Sequence, residues 1–164
     1  MATIHLIEGP VGAGKSTFAA QLSLTHAAVH LNLDDWMVTL FRPDRPETEF
    51  MEWYAERKQR CIDQIWRVTC DLIDAGTEAV LELGLVQTSA RDDFYRRVDV
   101  EGYALKVYVL ETPEDVRRER VRHRNTQQGD TFKMEVSDEI FELANRAWQA
   151  PDAIEARERD IEFM

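Results

Sequence analysis

The sequence predicts an α/β fold in which helices cover both faces of a parallel β-sheet. Short segments made almost wholly of apolar residues alternate with longer segments whose apolar residues recur at helical spacing. Strands that are buried on both faces are apolar along their whole length, so this alternation is typical of a parallel sheet. The chain has 164 residues, and a domain commonly holds about 100 to 200 residues. We therefore expect a single domain that spans residues 1–164.

Five segments are expected to form strands. The first four are short and apolar, and glycine ends the first and the third, as it often does where a strand meets a turn. The fifth is a short segment after the last predicted helix. The predicted strands cover Thr3–Glu8, Ala28–Leu31, Ala79–Leu83, Ala104–Leu110 and Asp160–Met164.

Five further segments are expected to form helices, which cover Lys15–Leu24, Thr48–Ala75, Ser89–Val98, Pro113 to about Arg124, and Ser137–Ala147. In the longest of them, apolar residues recur at helical spacing and Gly76 follows as a C-terminal cap. Before the fourth, Thr112 is expected to cap the helix and Pro113 to occupy its first position.

Composition limits the classes of partner. The chain carries 20 Lys and Arg against 31 Asp and Glu, a formal charge of −11. That charge disfavours extended binding to nucleic acid or to an anionic membrane, although it allows a local basic site. No apolar run approaches the roughly 18 residues of a membrane span, and the first residues lack the basic start of a signal peptide. We therefore expect a cytoplasmic protein.

The cysteines and two of the histidines are expected to be structural. Cys61 and Cys70 lie nine residues apart on one predicted helix, a separation of about 13 Å. That separation is too large for a disulfide, so we predict two buried free thiols. His5 and His30 fall in predicted strands, and no metal-ligand spacing occurs in the sequence.

The strongest motif lies between the first strand and the first helix. Its sequence GPVGAGKST matches the phosphate-binding pattern G-x-x-x-x-G-K-[ST]. Glycines let the backbone amides wrap around a phosphate, Lys15 can reach the β- and γ-phosphates, and the Ser16 hydroxyl can bind Mg²⁺. The motif therefore predicts a nucleoside triphosphate and magnesium as ligands. The predicted nucleotide-binding residues are Gly9, Pro10, Val11, Gly12, Ala13, Gly14, Lys15, Ser16 and Thr17.

An acidic pair directly follows the second predicted strand. Ligands of a parallel sheet bind beyond the carboxyl ends of its strands, so Asp34 and Asp35 should face the phosphate loop. One carboxylate could accept the proton of an acceptor hydroxyl and orient its oxygen for in-line attack. The other would cap a helix that begins near Trp36. We predict that Asp34, Asp35 and Trp36 contact the acceptor substrate.

Aromatic residues are candidates for the walls of an acceptor pocket. Trp36 and Phe41 follow the acidic pair closely, and Phe50, Trp53 and Tyr54 on the long helix could form the opposite wall. The alternative is that the tryptophans belong to the hydrophobic core.

One predicted helix carries five arginines, which are Arg117, Arg118, Arg120, Arg122 and Arg124. Helical spacing places Arg117, Arg120 and Arg124 along one stripe, and that stripe could face the triphosphate. Guanidinium groups can bind phosphoryl oxygens in pairs and neutralise charge in the transition state. The alternative is a solvated helix face that pairs with acidic residues of the same helix.

Taken together, the phosphate loop, the segment Asn32–Trp36, the strand Ala79–Gly84 and the segment Arg120–Asn125 resemble P-loop kinase-like ATP-binding proteins. This group includes the kinase domain of phage polynucleotide kinase, chloramphenicol phosphotransferase and zeta toxin. The resemblance implies a P-loop NTPase three-layer sandwich with a five-stranded parallel sheet of order 2-3-1-4-5.

The same resemblance implies roles for individual residues. It makes Asp34 the general base, and it makes Arg120 and Arg124 phosphate contacts in a mobile lid around residues 117–134. With Lys15 these residues complete the predicted catalytic set.

The chain departs from the pattern of these relatives at two positions. Met37 stands where polynucleotide-kinase-like relatives usually carry an arginine, and Arg42 lies further along the chain. Leu83 stands where relatives often carry an aspartate. Glu82 lies one residue earlier and would face the opposite side of the strand, unless a bulge re-aims it toward magnesium.

These observations predict an ATP- and Mg²⁺-dependent phosphotransferase that acts on a hydroxyl of a small molecule. Two alternatives stay open. One is a nucleotide-binding module that hydrolyses ATP slowly and transfers nothing. The other is a kinase of 5′ ends of polynucleotides, which the negative charge disfavours for any long nucleic-acid track.

Overall fold

A computed structural model describes residues 1–129 and 135–164 of the chain. Its strands are β1 (Thr3–Glu8), β2 (Val29–Asn32), β3 (Ala79–Glu82), β4 (Ala104–Val109) and β5 (Ile161–Phe163). Its helices are α1 (Lys15–His26), α2 (Leu33–Leu40), α3 (Phe50–Asp74), α4 (Thr88–Glu101), α5 (Glu114–Gln127), α6 (Asp138–Ala147) and α7 (Ala153–Glu158), with a 3₁₀ turn at Arg42–Asp44.

The five strands form one sheet of order β2-β3-β1-β4-β5. Every neighbouring pair is parallel, and in the centre His5 lies opposite Val80 of β3 and Lys106 of β4. The predicted fold class and strand order are therefore confirmed.

Both faces of the sheet are buried. Alternate residues of β1 belong to different clusters of buried apolar side chains. Ile4 and Leu6 pack with Ile65 of α3, whereas Ile7 packs with Ala19 of α1. Because successive side chains of a strand point to opposite faces, α1 and α3 must cover opposite sides of the sheet. The result is the three-layer arrangement that the apolar strands predict.

The acidic pair does not cap a helix, so that part of the prediction was wrong. Helix α2 begins earlier, at Leu33, and Asn32 is its N-cap. The Asn32 Oδ1 accepts hydrogen bonds from the backbone amides of Asp34 at 2.8 Å and Asp35 at 3.3 Å. Both aspartates lie in the first turn, where their charge interacts favourably with the helix dipole.

The predicted cap of α5 was also wrong. The helix begins at Glu114 after Pro113, without a side-chain cap. The hydroxyl of Thr112 donates instead to the carbonyl of Ala13 at 3.1 Å, and so ties this turn to the phosphate loop. The predicted cap of α3 is confirmed, because Gly76 follows the helix with φ of 79°.

Helix α7 has no counterpart among the predicted elements. Asp152 caps it, and its buried Glu155 accepts hydrogen bonds from Arg91 Nε at 2.7 Å and from Tyr95 Oη at 2.8 Å. This helix is held by a buried ion pair between residues that lie 64 positions apart in the sequence. The periodicity of apolar residues cannot reveal such a contact.

The cysteines are both free thiols, as predicted, but only Cys61 is buried and Cys70 is partly exposed. Within the described ranges, none of the helices combines the length and the apolar character that a membrane crossing requires.

Candidate active site

The phosphate loop depends on glycine at two positions where the backbone is left-handed. Gly12 and Gly14 have φ of 77° and 95°. A Cβ on Gly12 would also lie 2.7 Å from the carbonyl oxygen of Arg117 and 3.0 Å from Val121 Cγ2. Helix α1 begins directly after Gly14, so the loop curls around a helix N-terminus, whose amides and dipole favour an anion.

A cavity of about 510 Å³ opens above this loop. Most of the residues predicted to bind nucleotide line this cavity, together with predicted catalytic residues from distant parts of the chain. Its lining includes Val11, Gly12, Ala13, Gly14, Lys15, Ser16, Thr17, Asp34, Glu82, Arg120 and Arg124.

Lys15 is held by the loop itself. Its Nζ donates hydrogen bonds of 2.9 Å to the carbonyls of Gly9 and Pro10, two predicted nucleotide-binding residues that do not line the cavity. Burial lowers the pKa of Lys15, although the nearby carboxyls of Glu8 and Glu82 oppose that shift. An anionic phosphate beside the ammonium would favour its charged form.

Glu82 reaches the cavity from a regular strand, so the expectation that it needs a bulge was wrong. The register of β2 with β3 is uninterrupted, with Leu31 opposite Leu81 and Asn32 opposite Glu82. Val80 packs with the cluster on the α1 face, and Glu82 shares its side of β3 because side chains alternate. The phosphate loop and α1 lie on that face, whereas Leu83 belongs to the opposite core cluster.

The Glu82 carboxylate is held from two sides. The hydroxyl of Ser16 donates to its Oε2 at 3.0 Å, and Nε2 of His30 lies 2.7 Å from its Oε1. A hydroxyl and a carboxylate beside a phosphate-binding loop are the oxygen ligands that Mg²⁺ prefers. The predicted metal residue Ser16 therefore has an acidic partner here.

Asp34 opens onto the same cavity. Desolvation by the surrounding protein raises the pKa of its carboxyl. The negative charges of Glu82 and Asp35 raise the pKa further, while Lys15 lowers it. A carboxylate with a raised pKa accepts a proton more readily than an ordinary aspartate does.

Arg120 and Arg124 of α5 also line the cavity. Arg120 Nη1 donates weakly to the carbonyl of Ala13 at 3.4 Å. Arg124 Nε is buried and has no hydrogen-bond partner in the described parts of the chain, and burial lowers the pKa of this guanidinium. Because buried donors in native proteins are nearly always paired, the unpaired Nε of Arg124 at this cavity fits an anionic ligand.

Arg117 does not line the cavity, so the expectation that it faces the triphosphate together with Arg120 and Arg124 was wrong. Its guanidinium is buried and donates to the carbonyls of Val11 at 3.0 Å and Thr112 at 2.9 Å, and to Asn145 Oδ1 at 2.7 Å. Arg117 therefore holds the phosphate loop against α5 and α6.

Two other arginines of α5 form ion pairs at the surface, but only one of these pairs lies within the helix, as the alternative interpretation expected, and the others reach α6. Arg118 pairs with Glu114 and Glu142, and Arg122 pairs with Asp138.

Part of the predicted lid, residues 130–134, lies outside the described residues. On its flanks, Asn125 exchanges two hydrogen bonds with the backbone of Val136, at 2.8 and 3.1 Å. Gln127 and Gly129 line the cavity as well.

A second, smaller cavity of about 110 Å³ adjoins Asp34. Phe50, Trp53 and Tyr54 of α3, the candidates for one wall of an acceptor pocket, line it. Its remaining lining residues are Met37, Val38, Arg42 and Arg45.

Trp36 and Asp35 line neither of these two cavities. Trp36 and Phe41 are partly buried and pack against the main core cluster instead, so neither forms a wall of the second cavity. Arg42, which the sequence offered as an arginine further along the chain from Met37, lines this cavity, whereas Arg45 was missed.

Solved structures of other proteins share this fold. A chain of the Pnkp1/Rnl/Hen1 RNA repair complex matches with a TM-score of 0.68 at 19% identity, over 97% of this chain and 46% of that one. The present chain thus spans less than half the length of that relative. The APS kinase CysC of Mycobacterium tuberculosis, in complex with AMPPNP and APS, matches with 0.66 at 15% identity, over 99% of this chain and 87% of that one.

A gluconokinase from Sinorhizobium meliloti 1021 matches with a TM-score of 0.58 at 15% identity, over 99% of this chain and 81% of that one. At these identities the similarity establishes the fold alone. The sequence matches no curated protein at a significant level. A family profile described as an AAA domain matches residues 4–151, which include the phosphate loop, the acidic pair, Glu82 and the arginine helix. The chain therefore belongs to this AAA-domain family of P-loop kinase-like proteins.

Proposed function

We propose that the protein transfers the γ-phosphate of ATP, with Mg²⁺, to a hydroxyl group of a small molecule. The observation that carries the proposal is the position of Asp34, which lines both the cavity above the phosphate loop and the smaller cavity beside it. A carboxylate shared by two adjoining cavities can contact an acceptor in one while a triphosphate occupies the other.

The larger cavity would hold the triphosphate. The loop amides and Lys15 would bind its phosphate oxygens, in place of the loop carbonyls that Lys15 now contacts. Ser16 and Glu82 would hold Mg²⁺, and Mg²⁺ would neutralise charge on the β- and γ-phosphate oxygens.

In the transfer step, the acceptor hydroxyl would give its proton to a carboxylate oxygen of Asp34. The hydroxyl oxygen would then form a bond to the γ-phosphorus as the bond from that phosphorus to the bridging β–γ oxygen breaks. ADP would leave with that oxygen, and Arg124 and Arg120 would stabilise the charge on the transferring group.

The residues that line the smaller cavity support a proposal about the acceptor. Three aromatic side chains would cover an apolar part of the molecule, and Arg42 and Arg45 would bind an anionic group. The Arg45 guanidinium lies 4.0 Å from the centroid of the Phe50 ring, which holds its charge close to the cavity. We therefore expect an alcohol that also carries a carboxylate, phosphate or sulfate. A cytoplasmic location, where ATP and Mg²⁺ are available, is part of the proposal.

An acceptor screen tests this proposal. ATP consumption with Mg²⁺ would be followed while alcohols are added in pairs, each anionic alcohol beside its uncharged analogue. The proposal expects consumption that depends on an anionic alcohol and a phosphorylated product. Consumption that no added alcohol changes would instead indicate the slow nucleotide hydrolase. Transfer to oligonucleotide 5′ ends that weakens steeply with salt would indicate the polynucleotide kinase.

A further inference from the structure

A cluster of three metal-ligating side chains lies at the opposite end of the sheet from the phosphate loop. His5 comes from β1, His26 is the last residue of α1, and Glu78 directly precedes β3. Helix α1 starts at the phosphate loop and runs for 12 residues, about 18 Å. The cluster is therefore remote from Ser16 and Glu82.

The ligand atoms of the cluster converge. Nε2 of His5 and Nδ1 of His26 each lie 2.9 Å from the same oxygen of Glu78, Oε2. All three atoms lie within 4.8 Å of one another, and the two imidazole centroids are 4.3 Å apart. A tetrahedral zinc site with ligand distances near 2.0–2.1 Å places its ligand atoms about 3.3 Å apart. Small side-chain rotations would bring the cluster to that geometry.

We propose that His5, His26 and Glu78 bind a divalent transition-metal cation, with Zn²⁺ as the best match. Two imidazole nitrogens and one carboxylate oxygen are donors that Zn²⁺ accepts and that Mg²⁺ does not favour. His26 is exposed, whereas His5 is buried. A cation can therefore enter from solvent on the His26 side, where a water molecule would complete the tetrahedron.

A neighbouring side chain orients one of the ligands of the cluster. Nδ1 of His5 lies 3.2 Å from the Tyr108 hydroxyl; this contact fixes the ring and leaves Nε2 to face Glu78.

β1 and β3 already pair as neighbouring strands here, with Ile4 opposite Ala79, and a bound metal would add α1 to that connection. It would tie the C-terminal end of α1 to β1 and to the start of β3. The metal would thus stabilise the helix whose other end forms the phosphate-binding site. The alternative is a purely hydrogen-bonded cluster, which would not change on addition of zinc.

Titration of the full chain with zinc tests the site. The protein would first be stripped with a chelator and transferred to buffer without nucleotide or magnesium. Calorimetry is expected to show one zinc equivalent per chain and a rise in melting temperature, and Co²⁺ in place of zinc should give the visible absorption of tetrahedral cobalt. Absence of binding, or binding without tetrahedral cobalt absorption, would overturn the proposal.

Substitutions test which side chains bind the metal. His26→Ala, at an exposed position, and Glu78→Gln, which keeps a hydrogen-bonding side chain, should both lose zinc binding. His30→Ala removes an imidazole at the phosphate-loop end and should retain it. Tyr108→Phe should weaken zinc binding by on the order of 10-fold. If His26→Ala binds zinc as the wild type does, or if only His30→Ala loses it, the metal lies elsewhere and the assignment is wrong.

Discussion

The hydroxyl of Ser16 donates a hydrogen bond of 3.0 Å to Oε2 of Glu82, and this contact joins the first turn of α1 to the end of β3. The other carboxylate oxygen of Glu82 lies 2.7 Å from Nε2 of His30. The pair is thus fixed beside the phosphate loop before any ligand arrives.

Replacement of Glu82 by glutamine should weaken the binding of ATP in the presence of Mg²⁺. Loss of the negative charge removes one oxygen ligand for the cation, and we expect the affinity to fall by on the order of 10-fold. Binding of ATP without Mg²⁺ should change little. Calorimetry with and without Mg²⁺ measures both. Glu119→Gln, on the exposed side of α5, is the control, and an equal loss in both variants would contradict the role of Glu82.

Substitution of Arg124 should impair turnover. Arg124→Ala removes the guanidinium that lines the cavity with an unpaired Nε, and we expect ATP turnover to fall by on the order of 10² or more. Arg122→Ala, which breaks only the exposed pair with Asp138, is the matched control and should stay near wild type. Steady-state kinetics of both variants would show whether the two arginines differ; equal rates would count against the proposed role of Arg124.

Gly12→Ala should lower the free energy of unfolding because two effects act together. The left-handed backbone with φ of 77° strains any L side chain, and the new Cβ would press against the carbonyl of Arg117. We expect a loss of about 2 kcal/mol in the free energy of unfolding, together with loss of nucleotide binding. Gly102→Ala has a similar φ of 69° with open space around it, so it should cost only about 1 kcal/mol. Urea unfolding compares the two, and equal losses would show that the contact with α5 is unimportant.

The stability of the protein should depend on pH through Glu8. Burial raises the pKa of this carboxyl from 4.5 to about 8, so the folded state holds a proton that the unfolded state releases. Its contribution to stability is complete below about pH 4.5 and is lost as the pH rises to about 8. In that window the free energy of unfolding should fall by about 1 kcal/mol per pH unit.

Glu8→Gln should remove this dependence, because an amide has no proton to lose. Urea unfolding at pH 5, 6, 7 and 8 should show the variant gaining on the wild type as the pH rises. Glu158→Gln, at an exposed position, should follow the wild-type curve. A constant difference between Glu8→Gln and wild type across this range would show that Glu8 does not titrate there.

Local pattern was sufficient to predict much of this molecule. The strands are apolar because helices cover both faces, so their positions follow from composition, and the phosphate loop follows from its glycines and Lys15. The predicted bounds of β1 agree with the structure at both ends, Thr3 and Glu8.

Features that depend on packing between distant segments were missed. The orientation of Glu82 depends on which face of the sheet α1 covers, and the role of Arg117 depends on where α6 lies. The buried pair Arg91–Glu155 joins residues 64 positions apart, and His5, His26 and Glu78 meet from three elements. None of these relationships leaves a periodic signal in the sequence.

Asp34 is central to the proposed transfer reaction, and one substitution addresses it most directly. Asp34→Asn keeps the size of the side chain but removes the oxygen that would accept the acceptor proton. With the acceptor that the screen identifies, the rate of phosphate transfer from ATP would be measured in wild type and variant, alongside ATP affinity. We predict transfer slower by on the order of 10² to 10⁴ with nearly unchanged affinity for ATP. Transfer at the wild-type rate in Asp34→Asn would contradict the account.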